Sequence, residues 1–525
     1  MLVDEEAANP VPLSRSESIK SEQKQDEKGI EVQCEPTEAR YPGSGTAEDP
    51  YIVDWETDDP ENPYNWSTAR RWTLTFELAY ATWVSSFCSS SYSAGLHYSA
   101  VDLHVSEEVA LLGISLFVLG FMVGPLLWAP LSEMYGRRIV FIVSYAAFTL
   151  LHLGGALCKN IATLLATRTL AGMFGVSPFT NSGAALADLW LPRDRGVASS
   201  LYASAPFLGP VVGPIIGGWV AMSHLGWRFN FWIMFMVSAY APVLLRWRAR
   251  KLRRASGGKV IYVSRFDVDR PSDRVAHFRA NLSRPFLFLA TEPIVLLFAM
   301  YVAVAYAILY AFFAMYPIVF QQQRGWSPGL GGLAFIGVGV GTTFGMCLAP
   351  LQNRLYWAAM AKSPTGRAPP EARLYSPMFG AVCLPVGLFW FAWTCTPKHH
   401  WILPIAAGAP FGCGVALVMQ GVTQYLMDAY QIYAASALAA TVVLRSICAC
   451  FFPLVIPIMY RNLGDHWAGT VFAILTALCM PLPWLFWAYG PAIRKRSRYA
   501  IKDAVPSVIT KNIDQKIAAA QPNTL

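Results

Sequence analysis

Apolar runs of about 20 residues, broken by short polar turns, fill this chain from residue 72 to residue 489. A bilayer-crossing helix needs roughly 20 mainly apolar residues. The pattern predicts twelve, near 72–96, 109–130, 138–158, 161–187, 196–221, 228–247, 287–320, 327–351, 376–396, 401–427, 432–460 and 467–489. The seventh run is too long for one crossing and is expected to contain a turn. Before the first run, Met1 to Tyr64 is polar and charged (KSEQKQDEKGIE) and has no apolar stretch of signal-peptide type. It reads as an unfolded tail, so the first apolar helix must itself direct insertion. The chain divides into a tail (1–64), a six-helix bundle (65–247), a central loop (248–284), a second six-helix bundle (285–490) and a C-terminal tail (491–525).

Composition supports the bilayer as solvent. The chain is 54% hydrophobic and only 14% charged, against about 25% charged in ordinary globular proteins. Nine of the ten cysteines lie in or beside apolar runs, Cys34 sits in the polar tail, and no CxxC pair or metal-ligand spacing appears. Small buried hydrophobes are their expected role, with no metal and no cofactor. The net charge of +8 would suit nucleic acid, but Lys and Arg cluster in alternate loops, which is a topology signal. With both tails on one side, that side receives Arg70/Arg71, Arg137/Arg138, Arg193/Arg195, RWRARKLRR, Arg354, Lys362, Arg367, Arg373 and RKRSR (494–498). The opposite loops hold only scattered basic residues, so both termini are expected in the cytoplasm. Asn65-Trp66-Ser67 and Asn281-Leu282-Ser283 match the glycosylation sequon but fall on the cytoplasmic side, and are rejected.

The stretch GPVVGPIIGG (Gly209 to Gly218) puts helix breakers inside an apolar run. Gly209, Gly213 and Gly217 recur every four residues, so they share a face that lets another helix approach closely. Pro210 and Pro214 each remove a hydrogen bond and are expected to bend the span. Gly337, Gly341 and Gly345 have the same spacing in the eighth run, which predicts two smooth stripes from opposite halves sliding on each other. A faint repeat supports two similar halves: Gly120-x-x-x-Gly124 before Ala129-Pro130-Leu131, and Gly341-x-x-x-Gly345 before Ala349-Pro350-Leu351.

These residues resemble a known family. GPVVGPIIGG is similar to the antiporter motif of the major facilitator superfamily. APLSEMYGRR (129–138) resembles its turn between spans two and three, and RTLAG (168–172) its fourth-span motif. NPYNW (62–66), ADLW (187–190), Glu292-Pro293, SALAATVVLRS (436–446) and YGPAIRKRSRYA narrow the resemblance to fungal drug:H+ antiporters of the twelve-span class. The resemblance covers Tyr51 to Ala500. It implies an all-α polytopic membrane protein with two six-helix bundles around a central cavity. It also implies a cytoplasmic charge latch at Glu133, Gly136, Arg137 and Arg138, although Ala129 stands where a glycine is usual and Met134 where a basic residue is. Arg168 takes the position linked to proton coupling.

A charge inside a span costs about 2.5–3.5 kcal/mol on insertion scales, so Arg168 should face the interior. Being permanently charged, it needs a titratable partner. Glu77 has the right chemistry for one, or is a carboxylate snorkelling to the cytoplasmic face. Asp188 reads as a helix-end charge, and Arg445 as a cavity charge or an interhelical anchor. Interior substrate contacts are expected from Asn181, Glu292, Tyr306, Tyr310, Gln420 and Gln424. The tyrosine pair and the glutamine pair are each spaced four apart on one helix face. Aromatic faces beside amides suit amphiphilic molecules. No GxxxxGK[ST] phosphate loop, HExxH or GxSxG is present, so an ATP-driven pump and an enzyme are disfavoured. The reading is a proton-coupled exporter of amphiphilic organic compounds, monomeric, in the plasma membrane. A carrier of small organic acids or polyamines is the alternative, and a non-transporting sensor a further one. Its partners are the substrate, protons and lipid.

Overall fold

The structure is a computed structural model and describes residues 63–135, 137–190, 195–238, 274–363, 368–430, 433–497 and 499–500, all within one compact unit. Outside the described residues lie most of the N-terminal tail, the central loop up to residue 273, the chain from residue 501, and Gly136. So do the side chains of Glu133, Arg137, Arg138 and Asp188. The expected charge latch therefore lies outside them.

Every regular element described is helical. The first half contains α1 (Thr68–Ser90), α2 (Leu96–Asp102), α3 (Glu107–Tyr135), α4 (Arg137–Ala156), α5 (Ile161–Gly175), α6 (Ser177–Leu189), α7 (Arg195–Met222) and α8 (Phe229–Ser238). The second contains α9 (Arg274–Thr291), α10 (Pro293–Tyr316), α11 (Pro328–Leu333), α12 (Ile336–Cys347), α13 (Ala349–Lys362), α14 (Tyr375–Thr394), α15 (Ile402–Tyr430), α16 (Ala434–Cys479) and α17 (Leu482–Arg496). Among the described residues, eight helical segments are long and apolar enough to cross a bilayer. They account for the second, third, fifth and seventh to tenth expected spans, and for the last two, which run together. The first falls to α1, whose Arg70, Arg71, Glu77 and serines dilute its apolar character, and the fourth to α5 with α6. Of the sixth, only Phe229–Ser238 is described.

Local chemistry sets the breaks. The seventh run does contain the expected turn: Glu292 is extended (φ −109, ψ 101), and Pro293 then starts α10 where a helix needs no N–H. Gly464 (φ 74, ψ 170) interrupts α16, separating the last two spans with a backbone that side chains disfavour. Side-chain caps fix other starts. Asn160 Oδ1 accepts from Thr163 N (2.8 Å) at α5, and Ser327 Oγ from Leu330 N (3.5 Å) at α11. Through Pro206, Pro210 and Pro214, α7 continues as one helix.

The repeat appears in the packing, register for register. A Cβ on Gly120 would overlap the Thr169 carbonyl, and one on Gly172 the Phe117 carbonyl. In the second half, a Cβ on Gly341 would overlap the Ala409 carbonyl, and one on Gly412 the Val338 carbonyl. Phe117 to Gly120 and Val338 to Gly341 are the same step, as are Thr169 to Gly172 and Ala409 to Gly412. Thus α3 lies on α5 as α12 lies on α15. Likewise α1 pairs with α7 as α10 pairs with α16, and the halves meet where α3 packs on α16 and α7 on α11 and α12. Exposed Phe76, Leu150, Trp219, Phe344, Trp393 and Leu478 give the outer surface the apolar contact that lipid requires.

Candidate functional site

Arg168 sits in the second turn of α5, 1% exposed. Its guanidinium donates from Nε to the Gly113 carbonyl (3.0 Å), from Nη1 to Cys88 (2.7 Å) and from Nη2 to Ser89 (2.9 Å). The Phe117 ring lies 4.3 Å from its Cζ and the Tyr92 ring 5.3 Å. Cys88 and Ser89 end α1, where carbonyls lack a partner within the helix. One arginine therefore caps the end of α1 and ties it to α3 and α5. A planar five-donor fork is suited to this task in a way that an ammonium is not.

From that clamp a chain of hydroxyls crosses to the second half. Ser89 Oγ gives its proton to the Ser86 carbonyl (2.7 Å), so Tyr310 must be the donor in the 2.8 Å contact between its hydroxyl and Ser89 Oγ. Tyr306 in turn donates to Tyr310 (3.4 Å). All the hydroxyls point the same way, from α10 into α1, an alignment in which each bond polarises the next. Both tyrosines are fully buried. Beside them, Arg445 of α16 lies over the Tyr306 ring (4.7 Å) and the Phe179 ring of α6 (5.7 Å), so its head group belongs to the seam and not to the lipid face.

Several predicted residues are placed elsewhere. Glu77 is eleven positions before Cys88 on α1, or about 16 Å along a helix rising 1.5 Å per residue. It is too far away to partner Arg168. Glu292 lies at the junction of α9 and α10, where Oε2 accepts from Tyr430 (2.9 Å) and Ser497 (2.6 Å), and not in a central cavity. Gln424 accepts from Arg373 (3.4 Å) in a charged cluster, and Asn181, 1% exposed, bonds within its own helix to Ser177 (3.3 Å). Gln420 does reach across the seam, donating to Ser200 Oγ of α7 (2.7 Å).

The two glycine stripes do not face each other. Gly209, Gly213 and Gly217 are packed on Ser86, Phe87, Ser90 and Ser91 of α1, while Gly337, Gly341 and Gly345 lie on Ile405, Ala409 and Cys413 of α15. Each stripe brings together helices of its own half. The contact between halves uses the neighbouring face of α7, where Gly218 meets Pro328 and Gly329, the Pro214 carbonyl meets Gly332, and Val211 meets Gly339. A narrow cleft there, lined by Ser93, Pro214, Phe313, Gln321 and Gly332, has room for no more than about one water. The halves thus touch at this end and again at Gln420–Ser200.

Other residues of the site escaped the sequence reading. The serine run of α1 supplies small side chains for the α7 glycines and the hydroxyl link to Tyr310; its density within an apolar run was the available signal. His152 of α4 is 1% exposed, lies edge-on to Phe148 (4.5 Å), has an Nε2 with no partner among the described residues, and lies in the electrostatic field of Arg168. At the basic end, Arg494 makes a two-pronged bond to Glu371 (2.8 and 3.1 Å), both nearly fully buried, and Arg373 pairs with Asp428 (2.8 Å) over the Tyr356 ring (3.5 Å).

Comparison with known proteins agrees with this geometry. A family model described as Major Facilitator Superfamily matches residues 78–453. The chain is 47% identical over 498 residues to the Major facilitator superfamily multidrug transporter mdrA of Aspergillus fumigatus, spanning 92% of this chain and 81% of that protein. It is also 47% identical over 474 residues to the MFS-type efflux pump MFS2 of Trichophyton rubrum, spanning 88% and 79%. Among solved structures, the proton:xylose symporter XylE bound to 6-bromo-6-deoxy-D-glucose aligns with a TM-score of 0.59 at 15% identity, over 81% of this chain and 96% of that one. That likeness is one of fold.

Proposed function

The chain belongs to the major facilitator superfamily, and from that premise we propose that it is a proton-coupled exporter of amphiphilic organic compounds. In this reading it works as a monomer in the plasma membrane with both termini cytoplasmic. The names of its relatives, a multidrug transporter and an efflux pump, support export. The observation that carries the reading is the Arg168 clamp joined through Ser89 to Tyr310 and Tyr306. It gives one buried cation a hydrogen-bonded path from the end of α1 to the opposite half. Alternating access needs such a tie, because the halves must sense one site in common.

Arg168 stays charged through the cycle, so a second group must take the proton. No carboxylate among the described residues bonds to Arg168. The ionisable groups within its field are Cys88 and Tyr92 near the end of α1, His152 of α4 and Tyr310 of α10. Of these only histidine has an unperturbed pKa near neutrality. In this reading His152 replaces Glu77 as the proton acceptor. A proton on His152 sets a second positive charge against Arg168 in a dry core, weakens its hold on the Cys88 and Ser89 carbonyls, and so releases the hydroxyl chain.

The test is accumulation, in inside-out vesicles with an acidic interior, of labelled amphiphiles of negative, zero and positive charge. The expected result is uptake that requires the pH step and loses that requirement in His152→Gln. Equilibration of every compound without regard to the gradient would overturn the antiport reading. Gradient-driven uptake unchanged in His152→Gln would remove His152 from it.

A further inference from the structure

Arg445 is unlike the fully buried arginines. Arg168 binds three carbonyls, Arg373 binds Asp428, and Arg494 binds Glu371. Arg445 has no hydrogen bond or ion pair among the described residues, and its Nε is buried without a partner. What surrounds it is aromatic and comes from both halves: Tyr306 of α10 at 4.7 Å, Phe179 of α6 at 5.7 Å, and Tyr202 of α7 within its field. Phe179 is itself fixed, tilted against Phe121 (5.2 Å) and with its carbonyl accepting from the Tyr202 hydroxyl (2.9 Å). Arg445, Phe179 and Tyr202 are only half-buried, whereas Tyr306 behind them is fully so. A guanidinium at mid-membrane depth is costly unless its five donors are used. Here ring faces offset part of that cost and leave the hydrogen-bonding edge unoccupied.

We propose that this is the substrate's recognition point and that it selects anions: the carboxylate or sulfonate of a flat aromatic amphiphile bonds to the edge of Arg445 while its ring lies against Phe179 and Tyr306. This deepens the export reading and rests on it. The chemistry follows from the parts. A planar guanidinium pairs with a planar oxyanion through two parallel bonds, and rings prefer offset or edge-on neighbours to water. An amphiphilic cation would meet like charge at the same point, with no acid among the contacting residues to offset it. Because side chains of both halves line the point, an anion bound there touches both and senses their relative movement.

The experiment uses the full chain in phosphatidylcholine vesicles, so that no anionic lipid headgroup competes. Initial gradient-driven rates, above those of protein-free vesicles, are compared for 1-naphthalenesulfonate, the neutral 1-naphthalenesulfonamide and cationic (1-naphthylmethyl)trimethylammonium. In the wild type the sulfonate is expected to be fastest. Its ratio to the sulfonamide should fall at least tenfold in Arg445→Gln and be partly regained in Arg445→Lys, which restores charge without the fork. A wild type that prefers the cation or the amide overturns the proposal, whatever the variants do. So does an Arg445→Gln variant that slows sulfonate and sulfonamide in proportion. If no probe depends on the gradient, it is the proton-coupled reading that fails, and a sulfonate preference then still tests the anion site by equilibrium exchange.

Discussion

Replacing Arg168 by alanine withdraws three donors from a buried region where two of the acceptors lie in the last turn of a helix. The Gly113 carbonyl lies inside α3, whereas the Cys88 and Ser89 carbonyls fall in the last turn of α1, where a helix leaves carbonyls without an intrahelical donor. Leaving a buried acceptor unmade costs about 1–3 kcal/mol. Two orphaned carbonyls therefore predict a loss of about 2–6 kcal/mol, a large part of the roughly 5–15 kcal/mol that typically separates folded from unfolded protein. Lysine keeps the charge but offers one compact head group, so Arg168→Lys should satisfy one carbonyl and lose about half as much. The assay is the thermal midpoint of detergent-purified protein followed by size-exclusion chromatography, with gradient-driven flux measured on the same preparations. The expected order of stability is wild type, then lysine, then alanine. An alanine variant that melts with the wild type would refute the reasoning, since it would mean that water or a rearranged turn satisfies both carbonyls at no cost. A lysine variant as unstable as alanine would show that three-way geometry matters and charge does not.

Other consequences follow from single contacts. Gly172→Val and Gly412→Val occupy equivalent places in the two halves, each driving a side chain into a backbone carbonyl. Each should cost at least about 1–3 kcal/mol and lower the yield of monodisperse protein, whereas valine at Gly183, where nothing lies within 4 Å, should not. Glu371→Ala leaves Arg494 buried without its carboxylate, and a broken buried pair typically costs about 3–5 kcal/mol; a thermal midpoint within error of wild type would show the pair to be solvated. Tyr310→Phe removes the hydroxyl link across the seam, worth about 1 kcal/mol or a fivefold shift in the opening equilibrium. It should speed maleimide labelling of a Ser93→Cys reporter in the cleft by about that factor, and an unchanged rate would sever the link from gating.

What the sequence determined by itself is what the bilayer enforces locally. Long apolar runs had to become helices because unpaired backbone polar groups are not tolerated in lipid. Glu292-Pro293 had to break the seventh run, and Arg168 had to turn inward, because proline geometry and the cost of a charge in hydrocarbon act on single residues. The glycine stripes were legible as smooth faces, but spacing says only that something approaches closely. Which helix approaches is a property of assembly. Six helices competing for each other's surfaces settled Gly209, Gly213 and Gly217 on the serines of α1, and Gly341 on α15. The acceptors of Arg168 were hidden for a deeper reason: they are main-chain carbonyls, which every residue carries, so no side-chain pattern marks them. Glu77 and Glu292 had suitable chemistry but lie away from Arg168 and beside Tyr430 and Ser497 respectively, and His152, with no motif around it, came into the field of Arg168 only when α4 packed beside α5. Only the tertiary structure decided who meets whom across the seam, because contacts between distant segments depend on the summed packing of the whole bundle, while the sequence around any one residue encodes only its helix, its face and its cost of burial.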